Sequence, residues 1–198
     1  MAMRRSFRAA RAFIIAFAIL TPLRVAWAGP DMSAINGLDR AAFVQKLGGV
    51  FEKAAWVAEK AWEKKPFATP DDLHATMVDA VKQAPVQDQI ALLQGHPDLA
   101  GKEAQAGTMT VSSASEQGRA GLNALTKDEM ARITALNAAY KKKFGFPFII
   151  AVRLYTKEGI FFEFERRLRN DTATEYANGL ENVFRIARLR LDKLLEQS

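Results

Sequence analysis

Apolar residues recur every three or four positions along most of this chain, the spacing typical of amphipathic helices. Asp39 is suited to cap a helix with one apolar side, and Gly48-Gly49 ends that helix. Thr69-Pro70 begins another helix, whose apolar residues are spaced by four. The final amphipathic pattern runs from about Thr172 to Glu196. Because no run of alternating apolar and polar residues recurs, we predict an all-α, single-domain helical bundle over residues 33–198.

Capping boxes, in which Ser or Thr is followed three residues later by Glu, mark two further helix starts. Ser113-Ala114-Ser115-Glu116 fits this pattern, and so does Thr126-Lys127-Asp128-Glu129. Residues 101–111 are rich in Gly, Thr and small side chains, which favours a loop. Residues 144–150 are very apolar but contain Gly and Pro, so we predict a buried irregular segment there.

Residues 1–28 have the three parts of a bacterial secretory signal. Arg4 to Arg11 form a basic head, an apolar run of residues 12–20 follows, and Ala26-Trp27-Ala28 matches a small-x-small cleavage pattern. The run is shorter than the roughly 20 apolar residues that span a bilayer. We therefore expect no stable membrane insertion after processing, and a periplasmic mature protein.

A mis-set start codon explains the same residues in another way. Met32 would then be the true start, because the sequence from Ser33 onward already has the pattern of a compact domain. The protein would in that case be cytoplasmic. Both interpretations remain open here, and both leave residues 1–30 out of the fold.

Composition and charge exclude several classes of function. The chain of 198 residues has a net charge of +6, but residues 1–28 hold five arginines and no acid, so residues 29–198 carry only +1. A nucleic-acid partner is therefore not expected. The absence of Cys excludes a disulfide framework, a thiolate nucleophile and a Cys-based metal site. Two histidines cannot supply a three-His site, so we expect no metal.

His96 is the first candidate for chemistry because it lies between Gly95 and Pro97. Gly permits unusual backbone angles and Pro moves its predecessor out of the α region, so the imidazole is predicted to lie on a stiff turn. An imidazole fixed in this way is suited to general acid–base catalysis. For an isolated histidine, the interpretation as an ordinary loop residue would prevail.

Glu116 lies twenty residues further along the chain and has two compatible interpretations. Within the Ser-x-x-Glu pattern it caps a helix. A carboxylate held at a helix N-terminus stays ionised and could also orient a neighbouring imidazole. The adjacent Gln117 offers both a hydrogen-bond donor and an acceptor to a polar ligand.

Arg190 occupies a position on the last helix where the stripe formed by Val183, Ala187 and Leu194 predicts an apolar residue. One interpretation is that its stem packs and its guanidinium reaches solvent. The other is that it binds an anionic substrate, since Arg can hold a carboxylate through two hydrogen bonds.

Several motifs, in one order, resemble the OHCU decarboxylase family, named for 2-oxo-4-hydroxy-4-carboxy-5-ureidoimidazoline. They are Leu92–Ala100 (LLQGHPDLA), Ser113-x-x-Glu116-Gln117, Leu136-Asn137-x-x-Tyr140, Phe144–Phe148 (FGFPF), Glu165-x-Arg167-Leu168-x-Asn170 and Ile186-x-x-Leu189-Arg190-Leu191. The resemblance covers about residues 36–195, essentially the whole chain after the leader.

The resemblance implies an all-helical carboxy-lyase of urate degradation, which converts OHCU to (S)-allantoin and CO2 without a metal or an organic cofactor. By motif, His96 and Glu116 correspond to the catalytic pair, with Glu116 expected to position the imidazole. The substrate-binding positions are Pro97, Ser113, Gln117, Phe148, Ile150 and Arg190. A small-molecule substrate and a homodimer are also implied, whereas the family does not normally carry a secretory leader.

Two other functions remain open from the residues alone. A non-enzymatic helical binding or assembly module would explain the capping boxes and apolar stripes, but not a charged residue on a core stripe. A related lyase acting on another ureido acid would use the same scaffold, because a fold does not fix its substrate.

Overall fold

The computed structural model describes residues 32–197, which include no β-strand, so the all-α prediction is confirmed for this part of the chain. A short 3-10 helix, Val152–Leu154, lies between the eighth and ninth α-helices. The α-helices, in chain order, are α1 Ser33–Asn36, α2 Arg40–Leu47, α3 Ala55–Trp62, α4 Pro70–Gln83, α5 Val86–Gln94, α6 Lys102–Ala106, α7 Val111–Arg119, α8 Lys127–Phe144, α9 Lys157–Arg167 and α10 Thr172–Glu196.

Helix α10 is the central element, and its bounds agree with those that the apolar pattern predicts. It packs against α4, α5 and α8, while α2, α3 and α4 pack in sequence at one side. Val183, Ala187 and Leu191 are buried along its inner face. Arg190 lies on this buried side as well and is only 8% exposed, so the last helix brings a guanidinium into the interior.

Three helix starts are stabilised by the capping residues that the sequence indicates. Asp39 accepts a hydrogen bond from the backbone of Ala42, and Thr69 and Thr126 each form a complete capping box. The box at Thr126 is the one predicted, with Glu129 returning the bond. These side chains satisfy N–H groups that would otherwise lack a partner at the helix ends.

The predicted capping box at Ser113 is wrong, and the error matters for the site. Helix α7 begins earlier, because Thr110 is its N-cap and its hydroxyl accepts a hydrogen bond from the Ser113 backbone N–H. Ser113 and Glu116 are therefore both inside the helix, three residues apart on one face. Their side chains do not cap the helix and are directed toward other elements.

The prediction of a loop over residues 101–111 is also wrong in part. Residues 102–106 form the one-turn helix α6, which ends at Gly107 in the left-handed region with φ of +68°. Small residues such as Ala104 and Ala106 are compatible with helix as well as loop, so composition alone does not separate the two.

The segment after α8 is buried and irregular, as predicted. Gly145, at φ of +80°, ends the helix, and the residues from 146 to 151 are buried without regular structure. Arg167 donates a hydrogen bond to the Ile149 carbonyl at 2.8 Å, which holds this segment in place.

The predicted leader, residues 1–28, lies outside the described residues. Within residues 32–197 no helix is long and apolar enough to cross a membrane.

Candidate active site

His96 lies directly after α5, where Gly95 forms the C-cap. Its Nδ1 atom is 2.9 Å from the carbonyl oxygen of Leu92. A carbonyl can only accept, so Nδ1 carries the hydrogen of a neutral ring and Nε2 keeps its lone pair. The hydrogen bond to the preceding helical turn therefore fixes both the ring orientation and the tautomer.

Burial controls the charge of His96, which is only 8% exposed. Desolvation lowers its pKa to about 4, although the hydrogen bond to Leu92 and the negative charge of Glu52 oppose this shift. The imidazole is consequently neutral at pH 7, with Nε2 able to accept a proton.

Arg190 and Glu116 form a pair joined by two hydrogen bonds. The arginine Nε donates to Glu116 Oε1 at 2.8 Å, and Nη2 donates to Glu116 Oε2 at 2.9 Å. This geometry is the bidentate arrangement in which a guanidinium binds a carboxylate most specifically. The interpretation that the guanidinium reaches solvent is therefore wrong.

Glu52 is a second carboxylate on the same arginine, and the sequence analysis did not identify it. It is 2% exposed and accepts a hydrogen bond from Arg190 Nη1 at 2.8 Å. It also accepts from the Ser113 hydroxyl at 3.0 Å and from the Thr110 hydroxyl at 2.8 Å. The only sequence signal is a carboxylate directly after the apolar pair Val50-Phe51, where a core residue would be expected.

The charges in this cluster are not balanced. Burial on its own would raise the pKa of Glu52, but the charge of Arg190 and the hydrogen bonds from Thr110, Arg190 and Ser113 together lower it. Burial also disfavours the charged form of Arg190, yet the contacts with Glu116 and Glu52 raise its pKa. One guanidinium thus binds two carboxylates, so negative groups outnumber positive ones in the cluster.

Gln117 makes two hydrogen bonds within the fold and also lines the cavity described below. Its Oε1 accepts from the Ala100 backbone N–H at 2.8 Å, and its Nε2 donates to the Asp98 carbonyl at 3.3 Å. Ala100 has a positive φ of 48°, so this amide supports a strained turn next to His96. One lone pair and one N–H of the amide are left for a ligand.

One cavity brings together all eight residues singled out from the sequence. The cavity is small, about 30 Å³, which is room for about two water molecules, so a ring-sized ligand requires the lining side chains to move. Its lining consists of His96, Pro97, Leu99, Ser113, Glu116, Gln117, Phe148, Ile149, Ile150, Val152, Ile186 and Arg190. The Phe148–Ile150 segment supplies the apolar part of this lining.

The expectation that Glu116 positions His96 is not met. The hydrogen bonds of Glu116 go to Arg190, and the imidazole is oriented by the Leu92 carbonyl instead. The reason is that the early start of α7 directs Glu116 toward α10. Glu116 still lines the same cavity as the imidazole.

The family model described as OHCU decarboxylase matches residues 36–192. The chain belongs to this family.

Residues 32–197 contain no group of three His, Asp or Glu side chains placed to hold a metal ion. The expectation that an OHCU decarboxylase-like chain needs no cofactor stays a prediction.

Relatives in this family come from distant organisms. The chain is 39% identical over 166 residues to a 2-oxo-4-hydroxy-4-carboxy-5-ureidoimidazoline decarboxylase of Amia calva, covering 84% of this chain and 95% of that protein. It is 40% identical to a uric acid degradation bifunctional protein of a Bacillus species, again over 84% of this chain but only 32% of the relative.

A solved structure agrees with the fold. The crystal structure of an (S)-allantoin synthase superposes with a TM-score of 0.67 at 29% identity, covering 82% of this chain. The chain spans about half of that protein, 53% of its length. The shared architecture is therefore that of one decarboxylase-family unit.

Proposed function

We propose that this protein decarboxylates OHCU, giving (S)-allantoin and CO2. The observation that carries the proposal is the neutral His96, which lines one cavity together with every other residue that the family motifs indicate. Membership of the OHCU decarboxylase family supports decarboxylation as the class of reaction.

The chemistry of OHCU sets what the site must do. One ring carbon bears the carboxylate and a hydroxyl, and the neighbouring carbon bears the ureido group and is doubly bonded to a ring nitrogen. When the bond to the carboxylate breaks, its electron pair forms a double bond between the two carbons. The displaced π pair moves to nitrogen, which takes a proton from solvent, so the ring itself is the electron sink.

A second proton must move from the hydroxyl to the neighbouring carbon, since the hydroxyl carbon becomes a carbonyl in the product. Nε2 of His96 is suited to accept this proton and return it to one face of the ring. The anionic carboxylate of bound substrate would raise the pKa of the adjacent imidazole from its resting value of about 4. One fixed base thus accounts for both the proton transfer and the S configuration.

The walls of the cavity favour loss of CO2. Phe148, Ile149 and Ile150 are each at most 3% exposed and present apolar surface. A carboxylate is poorly solvated beside such surface, whereas CO2 is uncharged, so a water-poor wall disfavours the reactant relative to the product. In this proposal, Arg190 and Glu116, which supply charged groups to the cavity lining, bind the polar ring and ureido groups.

The test is turnover of freshly generated OHCU by the purified protein. We expect CO2 release together with the optical activity of (S)-allantoin, at a rate well above the spontaneous reaction. Racemic product formed at the spontaneous rate would overturn the proposal. Turnover of another ureido acid in place of OHCU would instead identify a related lyase.

We also propose that residues 1–28 direct export, on the basis of their basic head, apolar run and Ala26-Trp27-Ala28 pattern. N-terminal sequencing of the native protein tests this. A mature chain that begins near Gly29 supports export and a periplasmic enzyme, whereas a chain that begins at Met32 supports the alternative start.

A homodimer is the assembly that we propose from the family resemblance. The exposed apolar side chains of Leu154 and Phe162, 56% and 63% exposed, offer surface that a dimer could bury. Light scattering that gives the mass of a single chain at micromolar concentration would contradict it.

A further inference from the structure

A second depression, which we name the cationic cleft, shares Glu116 and Arg190 with the lining of the cavity. Its charged lining comes from four elements: Lys46 on α2, Arg119 and Glu116 on α7, Arg153 on the 3-10 helix, and Lys193 and Arg190 on α10. The cleft is about 250 Å³, much larger than the catalytic cavity. Five cations face a single acidic side chain in it.

Four of these five cations have no counter-ion within residues 32–197, and only Arg190 is paired. Within residues 32–197, the side chains of Lys46, Arg119, Arg153 and Lys193 form no ion pair. Arg153 donates only one hydrogen bond, to the Leu189 carbonyl. Apart from Arg190, the positive charges of the cleft are thus not used in ion pairs within the fold.

This concentration of charge stands out against a nearly neutral domain. Residues 29–198 carry a net charge of only +1, so the cleft holds more positive charge than the whole domain. A compact cleft on an otherwise neutral surface fits a small anion rather than a nucleic acid, which needs an extended basic surface.

The catalytic cavity itself has no surplus positive charge with which to attract an anion. Its only cation, Arg190, is already bound to both Glu52 and Glu116. The carboxylate of OHCU is ionised at neutral pH, since carboxyl groups titrate at about pH 4. The attraction that brings this anion to the cavity must therefore come from outside it.

We propose that the cationic cleft binds the carboxylate of the anionic substrate before it enters the catalytic cavity. Glu116 and Arg190 line both spaces, so they form the partition between them. The cavity is too small for the substrate as it stands, and movement of this partition would join it to the larger cleft. The proposal rests on the proposed function, and it adds Lys46, Arg119, Arg153 and Lys193 as substrate-collecting residues.

The kinetic test removes two cleft charges with Lys46→Gln/Lys193→Gln. Its matched control, Lys64→Gln/Lys127→Gln, removes two exposed charges that lie outside the cleft. At low ionic strength we expect kcat/KM to fall about three- to tenfold in the cleft variant only, with kcat unchanged. Salt at about 0.5 M should abolish the difference, because it screens the charges. Equal kcat/KM in the two variants would overturn the proposal.

A binding experiment separates this proposal from the proposed function. Sodium acetate and neutral acetamide are titrated into the 15N-labelled protein at constant ionic strength. We expect acetate alone to shift the backbone amides of Gly49, Ser112 and Arg119, and these shifts to be lost in Lys46→Gln/Lys193→Gln. Failure of wild-type turnover would refute only the reaction. Identical shifts with acetamide, or acetate shifts that persist in the variant, would refute carboxylate binding in the cationic cleft.

Discussion

Arg167 and Arg190 are both buried and both pair with glutamate, but the two clusters differ in their charge balance and in what surrounds them. Arg167 is 2% exposed and faces Glu175, which is fully buried. It donates to the Glu175 carboxylate at 2.7 Å and to the Ile149 carbonyl at 2.8 Å, and it stacks on Phe148 at 4.6 Å. One positive charge matches one negative charge, and the guanidinium faces neither the cavity nor the cleft.

Arg190 differs because it has two carboxylates and borders open space on both sides. Glu52 and Glu116 both bind it, and the cavity and the cationic cleft meet at its guanidinium. A buried cluster of unequal charges is not expected to stabilise the fold more than apolar residues of similar volume would. The Arg167 cluster holds the apolar wall of the cavity in place, whereas the Arg190 cluster lines the cavity and the cleft, where we propose that it contacts substrate.

The largest effect is expected from His96→Asn, which removes the base but keeps a hydrogen-bonding side chain. Turnover should fall by about 10² to 10⁴-fold, the range typical of a positioned acid–base residue. His74→Asn is the control, because this histidine bonds to the Phe184 carbonyl outside the cavity and should leave the rate unchanged. An unaltered rate of (S)-allantoin formation in His96→Asn would exclude the catalytic role.

Breaking the Arg167 cluster should lower the stability of the fold. Glu175→Gln leaves a buried guanidinium without its counter-ion, and we expect a loss of about 3–5 kcal/mol in the free energy of unfolding. Glu181→Gln on the same helix breaks an exposed pair with Arg185 and should cost less than about 1 kcal/mol. Urea unfolding measures both. Equal losses in the two variants would mean that burial of the pair does not matter.

Glu52→Gln keeps the size of the side chain but removes one charge from Arg190. We expect kcat to fall about tenfold, because Arg190 and Ser113 would shift and would no longer orient the substrate correctly. If Glu52 had a purely structural role, its replacement would not move the acid limb of the profile of kcat against pH. Since the charge of Glu52 raises the pKa of His96, its loss should move that limb to lower pH. A limb at unchanged pH would assign Glu52 to folding alone.

The smallest effect concerns stability against pH. The pKa of His96 is about 4 in the folded protein and near its ordinary value of 6.5 when unfolded. The unfolded state therefore binds a proton that the folded state does not, and stability should decline as the pH falls from about 6.5 toward 4. Urea titrations at pH 6.5 and 5 should show a weaker decline in His96→Asn. The same decline in the wild-type protein and in His96→Asn would rule out His96 as the cause of the pH dependence.

The strongly periodic parts of the fold were predictable from the sequence. Helix α10 matches its predicted bounds because 25 residues of regular pattern leave little ambiguity. The start of α7 was not found, because Thr110 competes with Ser113 as a cap and only the latter is followed by a glutamate three residues on.

The candidate site was predicted as a set of residues but not as a network. Family motifs indicate the eight residues that meet in the cavity, yet not that Glu116 binds Arg190 instead of orienting His96. Glu52 was missed because its partners Thr110, Ser113 and Arg190 lie 58, 61 and 138 residues away along the chain. Local sequence patterns carry no information on contacts over such separations.

The central claim is that the fold holds His96 neutral, with Nδ1 protonated and Nε2 free. The most direct measurement is 15N NMR of the imidazole across a pH titration, with His96→Asn assigning the signals of the two histidines. We predict a pKa of about 4 and an Nδ1–H tautomer at pH 7. A pKa near 6.5, or a hydrogen on Nε2 at neutral pH, would contradict it.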